Sequence, residues 1–191
     1  MKRRNFVKSV LGGAFLTIIP TTLFGLFKEK PKLIIDSYGE KRWYLNGKLH
    51  REDGPAIEYS DGTKFWWSNG ILHRIDGPAM EFSNGDKLWY FNDQLHRING
   101  PAVEWANGDK YWYLNDKLHR IDGPAIEYAN GTKKWYLNGL LHRVNGPAIE
   151  NSDGSNFWYL DGISHREDGP AYEYANGNKS WYLNGNYQKS S

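Results

Sequence analysis

From residue 54 onward the hydrophobic pattern alternates in short bursts broken by turn dipeptides. Pro55 to Ser60 alternates apolar and polar side chains, and Asp61-Gly62 follows. Thr63 to Ser68 is a second run, rich in aromatic residues and ended by Asn69-Gly70. Ile71 to Arg74 adds a short third run before the loop Ile75-Asp76-Gly77, and Pro78 opens the next burst. Such alternation marks half-buried strands, and nothing in it has the period of a helix. Asp-Gly and Asn-Gly supply the positive φ angles of a two-residue hairpin turn at little steric cost. Pro at a strand's first position does least harm there, because the ladder asks least of its missing N–H.

The bursts recur with a fixed period of 23 residues. Gly-Pro-Ala begins at Gly54, Gly77, Gly100, Gly123, Gly146 and Gly169. His50, His73, His96, His119, His142 and His165 keep the same register, are all the histidines of the chain, and are each followed by Arg. Trp43, Trp66, Trp89, Trp112, Trp135, Trp158 and Trp181 form a parallel series. Repeats this strict predict a quasi-one-dimensional array in which each unit buries its apolar face on its neighbours. The expected fold is all-β, an elongated single-layer antiparallel meander of stacked β-hairpin repeats.

If both turns hold two residues, Ser60 pairs with Thr63, Ile57 falls opposite Trp66, and Ala56 falls opposite Trp67. That register predicts a Trp/aliphatic row on one face. On the other it predicts a row at the position of Tyr44, Tyr90, Tyr113, Tyr136, Tyr159 and Tyr182, with Trp67 in their column. An isolated hairpin is marginal in water, but rings that bury roughly 150–250 Å² each can support a stacked sheet.

Composition fits this picture. Aromatics are 16% of the 191 residues and apolar residues 39%, so rings must supply much of the burial. The absence of Cys excludes disulfides, thiol nucleophiles and thiolate metal sites. The net charge of +2 is uneven: Lys2, Arg3, Arg4 and Lys8 precede any acid, leaving 20 basic against 22 acidic groups in the rest. A slightly acidic domain lacks the basic surface that nucleic-acid binding requires.

Residues 1–27 read as a targeting segment, a basic start followed by an apolar stretch from Ser9 to Phe27. Arg3-Arg4-Asn5-Phe6-Val7-Lys8 resembles the twin-arginine export signal. The resemblance implies an exported protein, periplasmic or tethered to the inner membrane by residues 1–27, with that segment touching the membrane. Residues 28–36 read as a polar linker, and 37–187 as the repeat domain of six units plus partial ends.

The order Asn-Gly-x-x-His, then Gly, then Asp/Asn-Gly, at a 23-residue period, resembles MORN repeats, more closely their divergent variant class, over about residues 37–185. The loop from His50 to Gly54 is longer than the family's, and Trp-Tyr stands where the family has Tyr-x-Gly. The resemblance implies a twisted antiparallel sheet of consecutive hairpins and a role as a protein-interaction, membrane-associated or immunity-like module.

The constellation His50-Arg51-Glu52-Asp53 could in principle serve acid–base or metal chemistry. It occurs six times in near-identical surroundings, whereas an active site is a unique place. The expected role of the His and Gly series is structural, with His packed on Trp and Arg paired with Glu58, Glu81, Glu104, Glu127, Glu150 and Glu173. Successive His lie roughly 10 Å apart at two strands per repeat, too far to share a zinc. The chain therefore reads as a non-enzyme without metal or cofactor. Its expected partner is an unknown protein; the alternative is a cell-wall glycan stacked on the aromatic rows. Where the pattern breaks or rings recur, Trp66, Trp67, Tyr90, Trp105, Tyr113 and Tyr136 are the candidate binding residues. The turn substitutions Asp93 and Asp116 are further breaks.

Overall fold

The structure is a computed structural model that describes residues 29–191; the export-signal reading of residues 1–27 lies outside them. Pro31–Ser191 form one compact unit. It is all-β, a long antiparallel meander whose main sheet has 16 strands, accompanied by five two-stranded hairpins.

One repeat shows how the sequence builds it. The strand Ile57–Glu58 pairs with Lys64–Phe65, and the latter pairs onward with Met80–Glu81 of the next repeat. Between these two main-sheet strands of successive repeats, the chain runs out through Trp66 into the hairpin Trp67–Ser68 and Ile71–Leu72. It returns through the His-Arg loop to Gly77-Pro78. Each repeat thus adds two strands to the main sheet and one hairpin beside it.

The two turns differ, which corrects the expected register. At Asn69-Gly70 both residues have positive φ, 54° and 81°, and Trp67 sits opposite Leu72 as a two-residue turn requires. At the Asp-Gly turn the loop has three residues. Tyr59 N–H donates to the Thr63 carbonyl at 2.9 Å, and Gly62, at φ 93°, donates to the Tyr59 carbonyl. Ile57 consequently faces Phe65 instead of Trp66. Because side chains alternate, this one-residue shift moves every ring to the opposite face. Trp43 lies opposite Ala56 of the following strand, its N–H bonded to the Ala56 carbonyl at 2.9 Å, and not on the aliphatic row.

The two faces are chemically distinct. One carries a cross-strand ladder of opposite charges: Lys64 faces Glu58 and Glu81, Lys87 faces Glu81 and Glu104, and Lys110 faces Glu104 and Glu127. The Trp series shares this face with fully buried Ala56, Ala79, Ala102, Ala125, Ala148 and Ala171. The other face carries Ile57, Phe65, Met80, Leu88, Val103 and Tyr111 in one row. Rings meet edge to face along it, Tyr59 with Phe65 at 5.2 Å and Phe65 with Phe82 at 5.4 Å, a geometry that adds to burial.

Both ends of the sheet are closed by an extra strand. Lys32–Ile35, within the segment read from sequence as linker, pairs with Lys41–Leu45. At the other end Asn186–Ser190 pairs with Lys179–Leu183, and the last strand runs past residue 187, where the sequence reading ended the domain.

Candidate functional site

The loop that follows each His concentrates the polar side chains of the repeat. Arg97 lies flat over Trp89, its guanidinium carbon 3.9 Å from the ring centroid, and equivalent stacks hold from Arg51 on Trp43 to Arg166 on Trp158. The same guanidinium donates to Glu104 Oε1 at 2.9 Å and to the Pro101 carbonyl at 3.0 Å. The Arg–Glu pairing expected from the sequence is formed in all six repeats. Where an Asp follows two residues later, as at Asp53, Asp76, Asp122 and Asp168, Arg Nε binds it as well. The Arg51 and Arg166 guanidiniums hold the Asp53 and Asp168 carboxyls below the usual range, chiefly by hydrogen bonding.

The Gly series has a steric cause. A Cβ on Gly123 would stand 2.8 Å from Arg120 Cζ, and on Gly77 2.7 Å from Arg74 Cζ. The guanidinium is thus sandwiched between a Trp face and a glycine that has no side chain to obstruct it.

The His series differs from expectation. Arg, not His, occupies the Trp face. His Nδ1 instead ties its repeat to the next turn: it accepts from the Asn69 N–H (His50, 3.0 Å), the Asn138 N–H (His119, 3.2 Å) and the Asn184 N–H (His165, 3.2 Å). A second staple runs from the residue after the three-residue loop. Thr63 Oγ1 accepts from the Ser83 N–H, and Asp86 and Asp109 carboxylates accept from the Ala106 and Ala129 N–H at 2.7 Å. These ties span 19 and 20 residues, so an insertion in any loop would break register with both neighbours.

The six candidate binding residues do not form one surface. Trp66 lies on the charged face beneath Arg74. Trp67, Tyr90, Tyr113 and Tyr136 are half-buried on the opposite face, with burial pushing the three Tyr hydroxyls up. The Trp67 indole N–H is buried without a hydrogen-bond partner. Trp105, 38% exposed, shares that side in the column of Tyr59 and Tyr128. Asp93 and Asp116 have a structural account: both sit at positive φ, and their carboxylates accept from the N–H of Leu72 and Leu95 in the preceding repeat, at 2.7 and 2.8 Å.

Sequence reasoning missed the loop tips. Two residues after each His stand Glu52, Ile75, Ile98, Ile121, Val144 and Glu167. The four aliphatic ones are 86%, 80%, 86% and 73% exposed. The signal was present as an apolar residue recurring inside a polar loop, masked by the more conspicuous His-Arg pair beside it. Clefts of about 760, 700, 430 and 640 Å³ open between successive loops, lined by Trp66, Trp89, Trp135 and Trp158 in turn. Among the described residues no group of three or more His, Asp or Glu is placed to hold a metal ion. No protein-family model matches the chain, and no curated protein matches it.

Proposed function

We propose that the repeat domain, residues 31–191, is a non-catalytic scaffold of MORN-like repeats that binds a protein partner, in an interaction or immunity-type role. The twin-arginine-like segment would place it in the envelope. The observation that carries the reading is the column of exposed aliphatic tips. Ile75, Ile98, Ile121 and Val144 recur exposed at one loop position in four consecutive repeats, and an apolar side chain kept outward in repeat after repeat supports a protein-interaction role. The polar groups of each loop, by contrast, are consumed within the fold: Arg97 by Trp89, Glu104 and Pro101, and His119 by Asn138. Little is left in them for acid–base chemistry.

The glycan reading draws less support. Stacking on a sugar needs a free ring face, and Arg covers one face of six of the seven Trp rings in the repeated series.

A photocrosslinking side chain at position 98, compared with one at Lys133 on the charged ladder, tests the proposal in cells expressing the full chain. A protease-sensitive adduct specific to position 98 is expected. An adduct removed by muramidase, or equal yields at both positions, would contradict it.

A further inference from the structure

The main sheet ends in two edge strands, and an edge strand keeps one row of backbone N–H and C=O groups unpaired, a template for another strand. The two edges differ. Asn186–Ser190 is polar, carries Lys189, and pairs with a register shift between Trp181 and Tyr182. Polar side chains, a lysine and a bulge are the ordinary protection of an edge. Lys32–Ile35 pairs residue for residue with its neighbour, without a shift. Its only charge stands at its start, and Leu33, Ile34 and Ile35 are all exposed.

The direction of its backbone groups follows from the pairing. Asp36 N–H donates to the Glu40 carbonyl at 3.1 Å, so Asp36 turns toward the neighbouring strand. In an antiparallel ladder these groups alternate in direction. Ile34 and Lys32 therefore face inward as Asp36 does, and Leu33 and Ile35 hold their N–H and C=O outward. The same alternation in the neighbour sends the Trp43 N–H away from this edge, to the Ala56 carbonyl.

These groups select a partner and a register. A second copy related by a two-fold axis perpendicular to the sheet runs antiparallel at this edge and keeps each face with its like. Residues directly opposite must then share a face, so the axis passes beside Leu33, Ile34 or Ile35. With the axis at Ile34, Leu33 of each copy meets Ile35 of the other, and the outward groups form four hydrogen bonds. Ile34 meets Ile34, and Lys32 meets Asp36 at both ends. With the axis at Leu33, Lys32 would meet Ile34, and Ile35 would meet Pro31, which has no N–H to give. With the axis at Ile35, Ile34 would meet Asp36, and Leu33 would meet Ser37 in the turn. The segment Lys32-Leu33-Ile34-Ile35-Asp36 is thus its own antiparallel complement, a match that an unrelated strand has no reason to offer. Charge supports it: Asp36 and Glu40 share the one guanidinium of Arg42, so this corner keeps negative charge for the Lys32 of a second copy.

We infer that Lys32–Ile35 pairs with the same strand of a second copy about a two-fold axis at Ile34, joining two main sheets into one. The symmetry closes at two chains, and the protected edge at Asn186–Ser190 stops further growth. The pairing uses residues apart from the loop tips, so it goes beyond the protein-binding reading and does not depend on it.

The chain has no cysteine, so a single introduced one forms no disulfide within its own chain. Opposite residues of a non-hydrogen-bonded antiparallel pair have Cα atoms about 4.5 Å apart, within reach of a disulfide. The full chain carrying Ile34→Cys, Leu33→Cys or Gln188→Cys is expressed in cells, treated with a mild oxidant and run on a non-reducing gel. Ile34→Cys forms a disulfide dimer at least about tenfold faster than the other two, because two Leu33 stand two residues out of step. Adding Ile35→Pro removes an outward N–H and spares the bonds to the neighbouring strand. Two bonds are then lost per pair of chains, and the dimer yield falls about tenfold, while circular dichroism of the purified variant stays that of the folded chain. Equal dimer rates at positions 33 and 34, or at 34 and 188, overturn the inference. So does a dimer that persists at full yield with Ile35→Pro, or the absence of any dimer. An adduct whose mass is not twice that of the monomer band makes a different protein the occupant of this edge and overturns it as well.

Discussion

Arg97 and Trp89 are in face-to-face contact at 3.9 Å, and this stack locks the last loop of one repeat to the strand that began it. Arg97 also binds Glu104 and the Pro101 carbonyl at the start of the next, so one side chain joins two repeats. Removing it takes the guanidinium from the half-buried Glu104 carboxylate and uncovers the Trp89 face. Arg97→Ala should cost about 2–3 kcal/mol in urea unfolding, summed from the stack and the charged hydrogen bonds. Arg97→Lys should recover less than half of that, because an ammonium cannot lie flat on the ring while bonding both oxygens.

Gly123 is expected to report on the same contact. The Cβ of Gly123→Ala, 2.8 Å from Arg120 Cζ, would push the guanidinium off Trp112. The loss should be about 1–3 kcal/mol. In a double-mutant cycle with Arg120→Ala the two effects should overlap strongly, since both remove one interaction. Simple additivity would show that the glycine matters for another reason.

The inter-repeat ties are separately measurable. His119→Ala removes the acceptor of the Asn138 N–H and should cost about 1 kcal/mol. Asp93→Ala loses the bond to the Leu72 N–H and still has to adopt φ 62°, for a cost of about 1–3 kcal/mol. Asp93→Gly loses the same bond but relieves the backbone, so it should destabilise less than Asp93→Ala. The reverse order in thermal unfolding would rule this account out.

The half-buried tyrosines give the domain an alkaline limit. Tyr159 and Tyr111 are pushed up to about 12, chiefly by burial, from the ordinary value of 10.0. A folded-state value raised above the unfolded one contributes stability that is fully present below pH 10. It is then lost as the unfolded hydroxyls ionise and pH climbs toward 12. Stability should therefore be insensitive to these groups up to about pH 10 and fall above it. Tyrosinate absorbance should rise together with loss of near-ultraviolet dichroism. Full tyrosinate formation at pH 10 in a domain that stays folded would contradict the burial argument.

How legible the molecule was in its sequence can be argued from its two turns. The period, the strand content and the Asn69-Gly70 turn follow directly from alternation and turn chemistry. The register does not, because Asp61-Gly62 and Asn69-Gly70 look alike as dipeptides. They differ in backbone angle: Gly62, Gly85, Gly108, Gly131, Gly154 and Gly177 lie between 91° and 97°, where a side chain is strained. The second position of the other turn, at 60° and 62° in Asp116 and Asp93, accepts aspartate. The replacement of Gly by Asp in one turn series, and never in the other, is the signal that separates them. The Arg–Glu pairs were legible from spacing. Which side chain covers Trp was not: His and Arg are neighbours in sequence, and only the register decides which reaches the ring. The tips were visible only once the loops were seen to project.

The central claim is that Ile98 and Ile121 serve binding and not folding, and one comparison tests it. Thermal unfolding of the Ile98→Asp/Ile121→Asp double variant is measured against the unmodified chain, and in each the photocrosslinking side chain is placed at position 75, the neighbouring tip, or at position 133, and its yield compared in cells. The account predicts a midpoint within about 2 °C of the original, as for exposed positions, with the position-75 crosslink lost and the position-133 background unchanged. A midpoint lowered as far as that of Arg97→Ala, or a position-75 crosslink that survives at full yield, would contradict it.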